Sequence, residues 1–311
     1  MPQGIHGVVL LDKPDGITSQ TAVTLVKRAL HAQKAGHTGT LDPMATGLLP
    51  VCLGEATKYS QDLLDADKTY LATVRFGQKT STGDAEGEVI ATGDVAFDAA
   101  NHELLVNELN RVTQQFIGSI QQVPPMHSAL KRDGKPLYEY ARAGEVLERE
   151  PRQVTIHGIE WLDMNWPTAK MRVACSKGTY IRTLAEDIGE VLGCHAHLVG
   201  LRRERVGHLS LENSVAIEVL NNQASPESHL LPIDALVQDL ATVSLDDDQA
   251  RRLCLGQRVP VERLSRGEEL LRIYRHDVAP DHFLGTADWR QGVLHPRRLL
   301  SMDVVNLNIV N

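Results

Sequence analysis

The alternation of apolar and polar positions along the chain predicts short strands interleaved with helices. Alternate residues from Tyr70 to Phe76 are apolar, which predicts a strand. Residues 154–162 and 170–175 have the same character and are predicted to pair. Helical spacing is found in the segments listed here: Thr18–Leu30, 55–64, 101–116 and Ile181–Leu192. This order of elements predicts an α+β fold.

Turn-forming residues divide the chain into two parts. The polar stretch 221–228 is predicted to be a linker, and the segments beyond it are mostly predicted strands. A hairpin is predicted where residues 283–289 and 293–300 meet at a Gln-Gly turn. A chain of 311 residues is long for a single core. We therefore expect a main domain over residues 1–245 and a small β-rich domain over 246–311.

Composition and charge leave the class of partner open. Apolar residues make up 42% of the chain and charged residues 23%, which is the balance of a globular protein with a packed core. The net charge of −8 argues against nucleic acid, but phosphate binding depends on local positive surface. Basic residues do cluster at 131–135, 202–205 and 297–298.

Targeting segments and metal sites are not expected. No apolar run approaches membrane-spanning length, and the N-terminus lacks the features of a signal peptide, so a soluble cytoplasmic protein is expected. The four cysteines are far apart, and Cys52 and Cys175 are predicted to be buried thiols. His195 and His197 lie next to Cys194, but no further residues nearby have the spacing of a zinc-binding motif, so no structural metal is predicted.

One loop carries the strongest chemical signal. Residues 36–47 read GHTGTLDPMATG, with a single carboxylate, Asp42, among three glycines. Glycines allow the backbone to approach a ligand closely, and Pro43 favours an extended conformation at Asp42. An isolated Asp-Pro pair is more often a simple turn.

Two other residues have a structural and a functional interpretation. Tyr70 is predicted on an apolar strand face, where a tyrosine is more often part of the core than of a site. Arg182 falls in the first turn of a helix, where the dipole disfavours a cation by about 0.3–1 kcal/mol, so a carboxylate partner is expected. Glu186, one helical turn later, and Asp42 are the two candidates, and helical spacing does not distinguish them.

Together these segments resemble the TruB family of tRNA pseudouridine synthases. The matching motifs follow in the family's order through most of the chain: LLDKPDGITS at 10–19, GHTGTLDPMATG at 36–47, KTY at 68–70, TSTGDAEG at 80–87, QVPPMHSALK at 122–131, CSKGTYIRT at 175–183 and LRR at 201–203. The resemblance implies a mixed, mainly antiparallel sheet in the catalytic domain. It also implies an RNA-clasping insertion at about residues 120–150 and a PUA-like RNA-binding domain at the C-terminus.

The resemblance assigns catalysis and base binding to five positions. Asp42 corresponds to the catalytic aspartate, and Arg182 to the arginine that holds it. Tyr180 and Tyr70 correspond to the tyrosines of the base pocket, with Tyr70 stacked on the target uracil, and Leu201 to the residue that closes that pocket. Tyr180 either helps to remove the C5 proton or positions the ring, and Asp42 acts as nucleophile or as base.

Supporting and RNA-binding positions follow from the same resemblance. His37 could fill the space left by the flipped base, and Asp84 could partner this loop histidine. The motif at 10–19 gives Lys13 and Pro14 as supports of the active site. RNA-binding candidates are taken from the basic clusters: Lys131, Arg202 and Arg203.

The implied activity is isomerisation of uridine to pseudouridine in the T-loop of tRNA, at position 55. It changes neither atom count nor oxidation state, so no cofactor is expected. The expected partner is the T-stem-loop of tRNA, with the enzyme acting as a monomer without an obligatory protein partner. Three alternatives are a non-catalytic tRNA-binding chaperone, a hydrolase that uses Asp42 with Asp84, and a guide-RNA-dependent relative.

Overall fold

A mixed β-sheet forms the centre of the main domain in the computed structural model, which describes residues 4–94, 102–262, 269–276 and 282–305. The strands are β1 (Gly7–Lys13), β2 (Ala35–His37), β3 (Ala45–Leu53), β4 (Lys68–Phe76), β5 (Gln78–Thr80), β6 (Val89–Thr92), β7 (Gly118–Gln122), β8 (Lys131–Arg132), β9 (Lys135–Pro136), β10 (Arg152–Asn165), β11 (Thr168–Cys175), β12 (Ala196–Val206), β13 (Leu209–Ser210), β14 (Val215–Ala216), β15 (Thr242–Leu245), β16 (Val259–Pro260), β17 (Glu269–Arg275), β18 (Phe283–Arg290) and β19 (Val293–Leu299). The α-helices are α1 (Ser19–Ala29), α2 (Ser60–Leu64), α3 (His102–Thr113), α4 (Leu137–Arg142), α5 (Ile181–Val191), α6 (Ile217–Asn222), α7 (Asp247–Cys254) and α8 (Met302–Val305).

The strands of the central sheet follow the order β14-β1-β3-β12-β4-β11-β10-β7, with β2 added to β3 and β13 to β12. The pairs β1–β14 and β3–β12 are parallel, and the other pairs are antiparallel. Strands β1 and β3 are buried along nearly their whole length, as expected for sheet covered on both faces. The prediction of an α+β fold with a mixed, mainly antiparallel sheet is confirmed.

The helices cover the sheet through the apolar faces predicted from their spacing. The side chain of Thr18 caps α1 by accepting a hydrogen bond from the Thr21 amide at 3.0 Å, and Val23 and Val26 are buried beneath that helix. Leu184 and Ile188 place the apolar face of α5 in the core under β4 and β11. The predicted helix at 55–64 is instead a 3-10 helix, Gly54–Tyr59, that leads into the short α2.

A second sheet forms the C-terminal part of the chain, in the order β15-β17-β18-β19-β16. The predicted hairpin is present as β18 and β19, with Gln291 and Gly292 in the left-handed conformation that a tight hairpin requires. Because β15 pairs with β17, this sheet begins at Thr242 and not at residue 246. The capping box of Asp246 marks the start of α7, which lies inside the C-terminal unit.

The two sheets share one hydrophobic core. The ring of Tyr59 lies 5.5 Å from that of Phe283, and its hydroxyl donates to the Arg298 carbonyl at 2.7 Å. The predicted linker at 221–228 is not a free tether, because α6 and a 3-10 helix at Pro226–His229 occupy it. The chain that follows is hydrogen-bonded to β1 through Leu231.

Cysteine placement agrees with the expectation from sequence. Cys52 and Cys175 are buried free thiols, as predicted. Across the described ranges, no helix is both long enough and apolar enough to cross a membrane.

Candidate active site

A cavity of about 600 Å³ opens where the ends of β4, β11 and β12 meet the loop before β3. Residues from five of the motifs line it, and they come from separate parts of the chain: 36–47, 68–70, 122–131, 175–183 and 201–203. Those predicted to act in catalysis or base binding are Asp42, Tyr70, Tyr180, Arg182 and Leu201. The fold therefore brings all five together at one cavity.

The guanidinium of Arg182 organises the polar side of this cavity. Its side chain is only 5% exposed, and Nη2 lies 3.0 Å from Oδ2 of Asp42. The choice between Asp42 and Glu186 is thus decided in favour of Asp42. Two backbone carbonyls also bind the Arg182 guanidinium. Nη1 donates to the Thr82 carbonyl at 2.9 Å, and Nη2 donates to the His127 carbonyl at 2.6 Å.

Asp84 is a second carboxylate on the same guanidinium. Its Oδ2 lies 3.4 Å from Nη1 of Arg182, and its Oδ1 accepts from the Thr82 hydroxyl and the Glu86 amide. The expectation that Asp84 partners His37 was wrong, because these contacts direct the carboxylate towards Arg182. The charge of Asp84 also lies close enough to raise the pKa of Asp42.

The carboxylate of Asp42 is held in a half-buried position at the cavity. Burial raises its pKa above the ordinary value of 3.8, and the nearby Arg182 opposes this shift. Burial outweighs the arginine, so the carboxylate is less acidic than a solvent-exposed aspartate. A carboxylate of raised basicity, held in one orientation by a guanidinium, is suited to act as a nucleophile or a base.

The loop that carries Asp42 is fixed from below by the first motif. Lys13 is fully buried, and its Nζ donates to the carbonyls of Pro14, Ile17 and Pro43 at 2.8, 2.7 and 3.1 Å. Burial lowers the pKa of Lys13 to about 8. Because Pro43 directly follows Asp42, Lys13 ties the backbone at Pro14 to the backbone next to Asp42.

Arg203 fixes the same loop from the opposite side. It is only 1% exposed, and its guanidinium donates to the carbonyls of Leu48 at 2.8 Å and Gly39 at 3.1 Å. Gly47 lies against the Arg203 backbone with φ of 98°, so a side chain at that position would collide with it. A buried guanidinium that is bound to carbonyls is poorly placed for an RNA phosphate, and the expectation of an RNA contact for Arg203 is not supported.

Tyr70 and Leu201 form the apolar side of the cavity. They belong to the adjacent strands β4 and β12, in which Leu201 pairs with Ala72. Tyr70 packs against two hydrophobic clusters, one around α5 and β11 and the other around α1 and β3, while still lining the cavity, so it is both a core residue and a site residue. Burial raises its pKa, which keeps the phenol neutral.

Tyr180 reaches the cavity from the residue that precedes α5. Burial raises its pKa as well, so the hydroxyl carries its proton at neutral pH. Its backbone is bound by the side chain of Gln122, a residue that our reading of the sequence included in a motif but did not single out.

Three of the other predicted residues, His37, Lys131 and Arg202, lie outside the cavity lining. His37 is half-buried; its Nδ1 accepts from the Gly39 amide at 3.1 Å, and burial lowers its pKa, so the ring is neutral. Arg202 forms an ion pair with Asp12 at 2.6 Å on the protein surface. Lys131 is exposed in the β8–β9 hairpin of the insertion.

Within the described residues, no cluster of His, Cys, Asp and Glu is arranged to hold a metal ion.

Comparison with known proteins identifies relatives along nearly the whole chain. Residues 27–181 match the model of the TruB family pseudouridylate synthase N-terminal domain. Residues 182–238 match that of the tRNA pseudouridylate synthase B C-terminal domain, and 241–300 that of pseudouridine synthase II TruB, C-terminal. The last match begins close to β15, in agreement with the start of the second sheet.

Individual proteins agree with these family matches. The tRNA pseudouridine synthase B of Ralstonia pickettii (strain 12J) is 52% identical over 309 residues, covering 96% of this chain and 95% of the relative. That of Cupriavidus pinatubonensis is 54% identical over 308 residues with the same coverage. Among solved structures, a chain of a Cbf5-Nop10-Gar1 complex has 26% identity and a TM-score of 0.69, covering 96% of this chain and 86% of that one.

Proposed function

The chain belongs to the TruB family of pseudouridine synthases, and on that premise we propose that it converts uridine to pseudouridine in the T-loop of tRNA, at position 55. Relatives that are more than half identical along nearly the full length are named tRNA pseudouridine synthase B, which supports tRNA as the substrate. The single observation that carries the proposal is the half-buried Asp42 carboxylate, fixed by Arg182 at the cavity.

The reaction requires the target uridine to leave the stacked RNA. Extrusion costs a few kcal/mol, and a pocket with an aromatic face and an apolar wall compensates by stacking on the flipped base. Tyr70 and Leu201 provide these two surfaces on adjacent strands. In this proposal His37, which lies beside the cavity in the same loop as Asp42, occupies the position vacated by the base.

The chemical step exchanges one glycosidic bond for another. The C1′–N1 bond breaks, the uracil turns, a C1′–C5 bond forms, C5 releases its proton and N1 gains one. Asp42 acts at the ribose in its ionised form, as nucleophile or as base, and Arg182 holds it ionised and oriented. Tyr180 faces the same cavity and positions the ring or assists removal of the C5 proton.

RNA binding is proposed for exposed basic residues around the site. Lys131 lies in the insertion, and Arg202 lies on the surface of β12, next to the strand that carries Asp42's loop. Both can reach a phosphate without loss of a buried contact, in contrast to Arg203. We include the C-terminal sheet in the RNA-binding surface, and we propose that the enzyme works as a monomer without an obligatory protein partner.

A direct assay tests the proposed function. An unmodified tRNA transcript and its isolated T-stem-loop are incubated with the pure, metal-free protein, and pseudouridine is mapped at single-nucleotide resolution. We expect modification at position 55 alone, and none when that uridine is replaced by cytidine. A protein that binds the transcript but never yields pseudouridine would contradict the proposal and favour a tRNA-binding chaperone.

A further inference from the structure

Tyr180 stands in the cavity, yet its own segment provides little to hold it there. The residue has an extended backbone (φ −98°, ψ 108°) at the start of α5, and no side chain of the helix caps that start. The preceding turn contains Gly178 in the left-handed conformation. Inside α5 the Tyr180 carbonyl accepts from the Leu184 amide at 3.1 Å, whereas the Tyr180 amide, at the start of the helix, is fixed by a partner outside the segment.

The side chain of Gln122 provides that fixation. Its Oε1 accepts from the Tyr180 amide at 2.7 Å, and its Nε2 donates to the Tyr180 carbonyl at 3.1 Å. These are the two bonds that a neighbouring strand residue would exchange with Tyr180 in an antiparallel sheet. The carboxamide accepts through one atom and donates through the other, which a glutamate of the same shape cannot do because an ionised carboxylate has no proton to donate.

Gln122 is also the root of the insertion. It is the last residue of β7, pairs with Arg152 of β10, and is only 2% exposed. Five residues later the same segment places the His127 carbonyl on Arg182 at 2.6 Å. The insertion is thus bound at its base to both Tyr180 and Arg182.

From this geometry we propose that Gln122 is a positioning residue for catalysis, which acts by holding the Tyr180 ring in register with Asp42. The inference rests on the proposed function. Loss of the clamp lets residue 180 move while the cavity wall and the RNA-binding surface remain. Because misplacement of a catalytic group by about 1 Å can cost on the order of 100-fold in rate, the effect falls on the chemical step.

Two variants and one matched control test this role. Gln122→Ala removes both hydrogen bonds, whereas Gln122→Glu keeps the shape and the acceptor but places a carboxylate oxygen against the Tyr180 carbonyl. Gln115→Ala is the control, since Gln115 is an exposed glutamine shortly before β7 and outside the insertion. Each variant is compared with the wild type in single-turnover rate on T-stem-loop RNA, RNA affinity, melting temperature and amide hydrogen exchange of residues 176–182.

Both Gln122 variants should react about 10- to 100-fold more slowly, with RNA affinity within a few-fold of the wild type. Exchange of the Tyr180 amide should quicken in Gln122→Ala, and Gln115→Ala should match the wild type throughout. A rate within two-fold of the wild type would overturn the positioning role. A slower rate would also overturn it if RNA affinity fell by the same factor and the melting temperature fell as well. If the wild type itself forms no pseudouridine, the proposed function is wrong, and this inference falls with it. If the wild type is active and the Gln122 variants match it, only this inference is wrong.

Discussion

At the scale of single residues, the ion pair between Asp42 and Arg182 carries the clearest functional consequence. Asp42→Asn keeps the shape of the side chain but removes the charge that the proposed mechanism requires. We expect loss of turnover with tRNA affinity within a few-fold of the wild type. Single-turnover assays and binding titrations would check this, with Asp163→Asn, an exposed aspartate near the β10–β11 turn, as the control. Appreciable activity in Asp42→Asn would show that the loop only shapes the cavity.

The raised pKa of Asp42 predicts the direction of the pH dependence. The proposed mechanism uses the ionised carboxylate, so the single-turnover rate should fall as the pH drops through a pKa above 3.8. Arg182 lowers this pKa, so Arg182→Gln should move the acidic limb of the pH–rate profile to higher pH, besides reducing the rate. An acidic limb that stays in place in Arg182→Gln would mean that another group controls it.

The sequence predicts a site residue well when the residues it contacts are close to it in the chain, and poorly when they are distant. Asp42 was found because a long motif surrounds it, but helical spacing alone left Arg182 between Glu186 and Asp42. Adjacent arginines show the same limit. The sequence gives both Arg202 and Arg203 as RNA-binding candidates, whereas strand alternation buries Arg203 beneath the loop and leaves Arg202 outside. Which face of β12 is buried depends on β3 and β4, and no pattern within the segment reveals it.

At the scale of elements, the loop between β2 and β3 depends on Arg203 for its conformation. Arg203→Lys loses the forked geometry and leaves buried carbonyls unsatisfied, at a cost of about 1–3 kcal/mol for each. The adjacent Arg202→Lys changes an exposed ion pair and should alter stability by less than about 1 kcal/mol. Urea denaturation of both variants measures this difference. Equal stability of the two variants would show that the guanidinium contacts contribute little.

The sequence predicts most helices and strands that have a regular apolar period. It does not predict short strands that are recognised only by the distant strand with which they pair. The strands around Tyr70 and Val173, the helix at 181–192 and the C-terminal hairpin follow from local spacing. Strand β15 was assigned to the main domain because its few residues look the same on either side of the boundary. Its membership in the second sheet comes from the parallel pairing with β17, which is a long-range contact.

At the scale of the whole molecule, the shared core predicts one cooperative unfolding unit. Phe283 is buried against Tyr59 at the junction of the two sheets, so Phe283→Ala should destabilise the protein by about 3–5 kcal/mol. Calorimetry should show a single transition that shifts as a whole. Leu255→Ala, on the exposed end of α7, serves as the control. Two separate transitions, only one of them shifted, would show that the C-terminal sheet folds independently.

The distance along the chain between Gly39 and Arg203 has a consequence for synthesis. Arg203, which binds the Gly39 carbonyl, follows it by 164 positions. At roughly 5–20 residues per second, a ribosome needs on the order of ten seconds or more to cover that interval. For most of this time the nascent polypeptide carries Asp42 without Arg182, and throughout it the loop lacks Arg203 and β1 lacks β14. The cavity can therefore assemble only after synthesis has passed β12, which ends at Val206 of the 311 residues, and premature termination before β12 yields a product that lacks Leu201 and Arg203.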